Sequence, residues 1–203
     1  MKKSRLFKFS LFGVLVILAA AVVAGMVDSF RFNPDPSGDT EFIARAQRKT
    51  APGIAVSASA LGASESQGSF GEDLAKYDIQ PLWLSIDNET DDPLTLLQIA
   101  TDPDYYSPDE VSYRFHGAFS GAANQARDRF FLKRQIASNL PPHSQTTGFI
   151  YGVLDAGIKY AHILIAGNGR LEAFDFALRV PGPAFVGTGV TLDSVYPGRT
   201  IED

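Results

Sequence analysis

The sequence predicts a mainly β domain, an antiparallel, Ig-like β-sandwich with a helical insertion, preceded by a single N-terminal transmembrane helix. Three observations predict it. Residues 9–27, FSLFGVLVILAAAVVAGMV, carry no charge and follow four bases, Lys2, Lys3, Arg5 and Lys8. Several later segments alternate apolar and polar residues between Gly-, Asn- and Pro-rich turns, the pattern of strands with one wet face. One stretch, at about 108–138, breaks that alternation with helical signals.

The leader comes first. A helix rises about 1.5 Å per residue, so the uncharged run comes close to crossing a hydrocarbon core roughly 30 Å thick. No acid precedes Asp28, and bases before the span place the N-terminus in the cytoplasm and the remainder outside. Residues 1–27 are therefore expected to be a signal anchor in a bacterial inner membrane, with a periplasmic C-terminal domain. Val22-Val23-Ala24 before Gly25 offers the alternative of a cleaved signal peptide and release to the periplasm. The sequence contains no cysteine, which closes the lipoprotein route, disulfides and thiolate metal sites.

Four of the 18 bases sit in the leader, leaving 14 against 23 acids in the exported part. That balance argues against nucleic acid, whose recognition needs a basic surface. Residues 28–50 are expected to be a linker with a short helix: Asp28 to Asp39 reads DSFRFNPDPSGD, and Glu41 to Lys49 suits a helix before Pro52. Residues 51–203 are one domain's worth of chain.

Within that domain Ile54, Val56, Ala58 and Ala60 alternate along one strand, and Leu82, Leu84 and Ile86 along the next. Asn88 to Pro93 turns the chain toward Leu94 to Ala100. Ser107-Pro108-Asp109-Glu110 is a helix start: the serine caps, the proline fits the first turn, and the glutamate reaches back. It predicts a helix over 108–116. A second is expected from about Phe119 to Ala137, with Phe119, Ala123, Ala126 and Phe130 at helical spacing, ended by Pro141-Pro142. Thr147, Phe149, Tyr151 and Val153 alternate, Asp155-Ala156-Gly157 turns, and Ile158 to Ile165 returns. Gly167-Asn168-Gly169 is a hairpin turn leading into Leu171 to Val180, with Phe174, Phe176 and Leu178 on one face and Asp175 and Arg179 on the other. These last strands are expected to form an antiparallel meander.

The block from Asp78 to Tyr113, DIQPLWLSIDNET followed by DPDYYSPDEV, resembles uncharacterised bacterial membrane-anchored or exported domains. Some of those accompany phosphatase-like membrane proteins of the LssY type. The likeness covers about a fifth of the chain. It implies an envelope domain and carries no activity, cofactor or catalytic residue with it.

Local chemistry points to no enzyme class. There is no Gly-x-Ser-x-Gly elbow, and the Gly-Thr-Gly and Gly-Asn-Gly stretches lack the continuation a phosphate loop needs. Asp102 to Glu110 is acidic but lacks the spacing of a calcium loop. His116, His143 and His162 share no ligand spacing. Arg127, Arg129, Lys133 and Arg134 suit a solvated helix, or a surface for lipid phosphates or an acidic partner. Trp83, Tyr105, Tyr106 and Tyr113 suit core packing, or a surface that stacks on sugars or anchors a partner. The speculative binding set is thus Trp83, Tyr105, Tyr106, Tyr113, Arg127 and Arg134, with no catalytic residue, metal ligand or cofactor assigned. The expected role is a non-enzymatic accessory module, with partners in the membrane and among envelope proteins. The alternatives are a hydrolase using dispersed groups such as Asp87, Asp102, Asp104, His116 and His162, or a small-ligand or metal-binding domain. A deep polar pocket would favour the hydrolase, and a flat apolar patch around Trp83 the module.

Overall fold

Alternating apolar side chains give this chain strands with one or two faces to bury, and the number of faces decides which sheet each strand joins. The computed structural model describes residues 13–14, 16–20, 22–23, 32–98, 101, 105–118 and 120–182. Strands β1 (Gln47–Ala51), β2 (Ile54–Ala60), β3 (Ile79–Asn88) and β6 (Ser144–Val153) form one sheet in the order β1-β2-β3-β6. Strands β4 (Leu94–Leu96), β5 (Asn139–Leu140), β7 (Ile158–Gly167) and β8 (Arg170–Arg179) form a second, in the order β5-β4-β7-β8. Pairing within both sheets is antiparallel. Helices accompany them: α1 (Asp39–Ala44), α2 (Ala63–Phe70), α3 (Pro108–Tyr113) and α4 (Gly121–Arg134), with 3-10 turns at Pro36–Gly38 and Leu74–Tyr77.

Between the sheets Ile54, Val56, Ala58, Leu82, Leu84 and Ile86 meet Ile163, Ile165, Phe174, Phe176 and Leu178 in one buried cluster. A second cluster lies on the other face of the first sheet. There Phe42 of α1, Phe70 of α2, Val111 of α3 and Phe131 of α4 pack on Ile79, Phe149 and Tyr151. Among the described residues the layers are thus helices, first sheet, second sheet, a two-sheet sandwich. The central strands of the first sheet, β2 and β3, bury both faces and are buried along most of their length, whereas the edge strand β1 is exposed. Strand β8 instead alternates exposed and buried residues over its second half.

Several expectations hold locally. Ser107 and Glu110 close a reciprocal cap, with Ser107 N donating to Glu110 Oε2 at 2.8 Å and Glu110 N donating to Ser107 Oγ at 3.2 Å. That helix ends at Tyr113, shorter than predicted. Asn168 and Gly169 take positive φ, 48° and 71°, as a tight hairpin with native twist requires.

Other expectations are corrected. β6 does not pair with β7. It pairs with β3, and β7 pairs with β4 and β8, so the turn at 155–157 crosses between sheets instead of closing a meander. The reason is burial: Phe149 and Tyr151 on one side of β6 and Ile150 on the other are all buried, which only the doubly covered sheet provides. Lys159 anchors the crossing, donating to Val153 O at 2.7 Å and lying 2.9 Å from Asp155 Oδ2. The short helix falls at Asp39–Ala44 and Gln47 already enters β1, paired with Ala58. Residues 39–50, assigned to the linker from sequence, are therefore part of the packed domain, with Phe42 fully buried. Helix α4 stops at Arg134, where Gln135 turns extended (ψ 139°), well before Pro141-Pro142. Of the leader, the described residues within 13–23 are helical. Among the described residues no helix is long and apolar enough to cross a membrane, and much of the span expected over residues 9–27 lies outside them.

Gly148 reports how tightly β6 is clamped. A Cβ there would lie 2.5 Å from Ile136 N and 2.6 Å from Ile136 Cα, and Ile136 N donates to Phe149 O at 3.0 Å. The obstruction is backbone, which cannot rotate away. Gly148→Ala is expected to cost about 1–3 kcal/mol, read as a drop in the urea midpoint at unchanged slope.

Candidate interaction surface

The ionisable residues singled out from sequence pair off instead of converging. His116 Nε2 lies 2.8 Å from Asp128 Oδ1, and His143 Nε2 lies 2.9 Å from Asp91 Oδ1. His162 Nδ1 bonds Asp175 Oδ1 on the neighbouring strand. These are three sites: the α3–α4 hairpin, the turns beside β3 and β6, and the outer side of the second sheet. Among the described residues no group of three His, Asp or Glu side chains is placed to hold a metal ion. Asp87 lines a polar cleft of about 360 Å³ with Asn88, Glu89, His143, Ser144 and Gln145, and Arg48 Nη2 lies 2.8 Å from its carboxylate. Asp102 and Asp104 lie outside the described residues.

Ser112, Asp128 and His116 carry the residue types of a hydrolytic triad in the wrong order. Ser112 Oγ donates to Asp128 Oδ1 at 2.6 Å, the same oxygen that His116 approaches. The serine is fully buried and faces the carboxylate, not the imidazole that would have to activate it. The trio clips α3 to α4. Burial alone would raise the Asp128 carboxyl; hydrogen bonds from Ser112 and His116, and the charges of His116 and Arg127, outweigh it and hold it below its ordinary value. A carboxyl lowered in the folded state contributes stability above its unfolded range, and loses it as pH falls through the lowered value. The melting temperature is therefore expected to fall below about pH 4, and to fall less steeply in Asp128→Asn.

The basic helix is solvated in part: Arg129 and Lys133 are exposed, whereas Arg127 and Arg134 turn inward. Arg127 is 2% exposed, ion-paired with Glu72, and its Cζ lies 5.1 Å from the Phe32 ring centroid. Arg134 Cζ lies 4.6 Å from the Phe149 centroid and 5.1 Å from that of Phe70. Its Nη2 is 2.8 Å from Asp39 Oδ2, near enough for an ion pair though not aligned as a hydrogen bond. Both guanidiniums are turned into the helix–sheet layer, where carboxylates and ring faces offset their desolvation, so neither is presented to a lipid phosphate.

The aromatic set is dispersed. Trp83 and Tyr106 pack against the helix-side cluster, and Tyr106 N donates to Tyr151 O at 2.8 Å. Trp83 is therefore part of the covered layer, not the centre of a flat exposed patch. Tyr105 packs against the inter-sheet core and accepts a 2.7 Å hydrogen bond from Gln135 Nε2. Burial raises its phenol, against that hydrogen bond. Tyr113 alone of the six is largely exposed, with its ring 5.1 Å from that of His116.

What the sequence reading missed is the outer face of the second sheet. Inward residues of β7 and β8 enter the core, so their alternates point away from it. The register pairs Ile158 with Arg179, Tyr160 with Ala177, His162 with Asp175, Leu164 with Ala173 and Ala166 with Leu171. Seven of these ten are apolar, and Tyr160, Leu171 and Ile158 are 73%, 58% and 49% exposed. The helices packed on the first sheet have no counterpart here among the described residues. A signal was available: an ordinary wet face carries charged residues at alternate positions, whereas Ile158, Tyr160, Leu164 and Ala166 do not.

No family model, curated protein or solved structure matches this chain.

Proposed function

We propose that this chain is a membrane-anchored, extracytoplasmic accessory module of the bacterial envelope, an Ig-like sandwich that acts by docking through the outer face of β7 and β8. One observation carries the reading: helices pack on the first sheet's outer face, while among the described residues none packs on the second sheet's outer face, which exposes Ile158, Tyr160 and Leu171. Large exposed apolar side chains grouped on one face, here on both sides of the His162–Asp175 pair, mark an interaction site more often than ordinary surface. The anchor rests on the uncharged run over residues 9–27 and its preceding bases. The pairing of each histidine with a carboxylate of its own supports a binding role over hydrolysis.

The test is capture of the tagged full-length protein from gently solubilised host membranes, with intact mass read on the same sample. An unprocessed mass is expected, with a stoichiometric protein partner that is lost in Tyr160→Arg. A mass beginning at Gly25 would overturn the anchor. Capture of the same proteins by wild type and Tyr160→Arg would overturn the assignment of the surface.

A further inference from the structure

We infer that the β7–β8 face pairs with the same face of a second copy of this chain, about a twofold axis parallel to the strands; this rests on the reading of that face as the docking surface. The register carries the inference. Tyr160 stands beside Ala177 and Leu164 beside Ala173, so a large side chain has a small cross-strand neighbour on either side of the His162–Asp175 pair. A twofold axis running between β7 and β8 lays β7 of one copy over β8 of the other at the same height. Tyr160 then sits over the second copy's Ala177, and Leu164 over its Ala173. His162 and Asp175 meet their opposites crosswise, the reciprocal pattern an isologous interface requires.

The other in-plane axis, perpendicular to the strands, fails on the same residues. It stacks His162 on His162 and Asp175 on Asp175, and sets Tyr160 against Leu164, large on large. A twofold along the strands also suits twisted sheets, because tilting each by half of about 30° gives the crossing angle of aligned sheet packing. Complementarity is then best over the three central pairs and drifts toward Ile158 and Leu171.

Charge supports a copy as occupant. The exported part carries 14 bases against 23 acids, so most faces of two copies repel. This face holds Asp175, Arg179 and His162, close to neutral. Strands of ten residues span about 34 Å, and the β7–β8 pair is roughly 10 Å wide, with the three-residue β4 adding a short ledge at one end. That gives about 350 Å² from each copy, below a standard-size interface and in the range of weak, transient contacts. Association is therefore expected to be weak in dilute solution and to be strengthened where both chains are tethered in one bilayer. An axis along the strands keeps both tethers at the same level, as two leaders in one membrane need.

The experiment uses two differently tagged full-length copies in detergent micelles, with melting temperatures confirming that each variant is folded. Wild-type copies are expected to co-capture, and Tyr160→Arg or Leu164→Arg to reduce this at least tenfold. A charge pairing then tests the axis. A chain with His162→Lys and Asp175→Lys has a wholly basic centre, and one with His162→Glu a wholly acidic centre. Each is expected to lose self-capture, while the two together capture one another at or above the wild-type level. Mixed capture no better than self-capture would overturn the crossed geometry. Wild-type copies that do not co-capture, together with a different membrane protein lost in Tyr160→Arg, would overturn self-pairing and leave the docking surface standing. Vesicle binding that Tyr160→Arg abolishes, without co-capture, would assign the face to lipid instead.

Discussion

Glu72→Gln is expected to destabilise the folded domain by about 3–5 kcal/mol, the usual loss when one partner of a buried ion pair is removed. Arg127 is 2% exposed and Glu72 lies beside it under the helical layer, with the guanidinium close to the Phe32 ring. Glutamine keeps the shape of glutamate but not its charge, so the buried guanidinium loses the carboxylate that its Nε contacts. The decisive companion is Glu72→Gln with Arg127→Met. Removing both charges while keeping the volume is expected to return most of the lost stability, because an apolar replacement of a buried pair is often neutral. Urea unfolding of the three proteins measures this. Equal losses in the single and double variants would mean that the packing of the arginine stem, not the charge, holds α4 to the region of Glu72.

That pair also shows why the site was less legible than the strands. Period-two alternation in Ile54 to Ala60, Leu82 to Ile86 and Leu171 to Val180 marks burial directly, since successive side chains of a strand point to opposite faces. The Ser107–Glu110 cap and the Asn168-Gly169 turn are legible for the same reason: each is completed by neighbours in sequence. Arg127 and Arg134 are not. Both look solvated until Glu72 and Asp39 reach them across the fold, and no local pattern names those carboxylates. Helix α2, ASESQGSF, carries weak helix formers and no clear apolar stripe. It stands because Gly62 N donates to Glu65 Oε2 at 3.0 Å, Gly71 closes it with φ 69°, and Phe70 is buried. The partition of β6 and β7 into different sheets was hidden likewise, because a short turn between two strands suits a hairpin or a crossing equally well. The apolar side chains on the outer face of β7 and β8 were legible in principle: Tyr160 and Leu164 alternate in phase with His162.

Phe70→Ala and Tyr160→Ala are expected to separate the two faces of the sandwich. Phe70 is fully buried, its ring 5.0 Å from Phe149, 5.3 Å from Phe131 and 5.7 Å from Tyr151. Truncating it removes the transfer energy of a whole ring and leaves a cavity bounded by side chains from two helices and a sheet, a loss of about 3–5 kcal/mol. In a domain stabilised by about 5–15 kcal/mol that is about a fifth or more of the total. Tyr160, 73% exposed, gives up almost no burial, so Tyr160→Ala is expected to change stability by less than about 0.5 kcal/mol while removing the knob that seats on Ala177 of a second copy. Denaturant midpoints and co-capture of tagged copies, measured on the same two variants, should therefore move in opposite patterns. A loss below about 1.5 kcal/mol for Phe70→Ala, out of range for a well-packed buried ring, would mean that the helices sit loosely on the first sheet. The Phe149 and Tyr151 face would then be open to a partner as well, and the contrast that singles out β7 and β8 would fail.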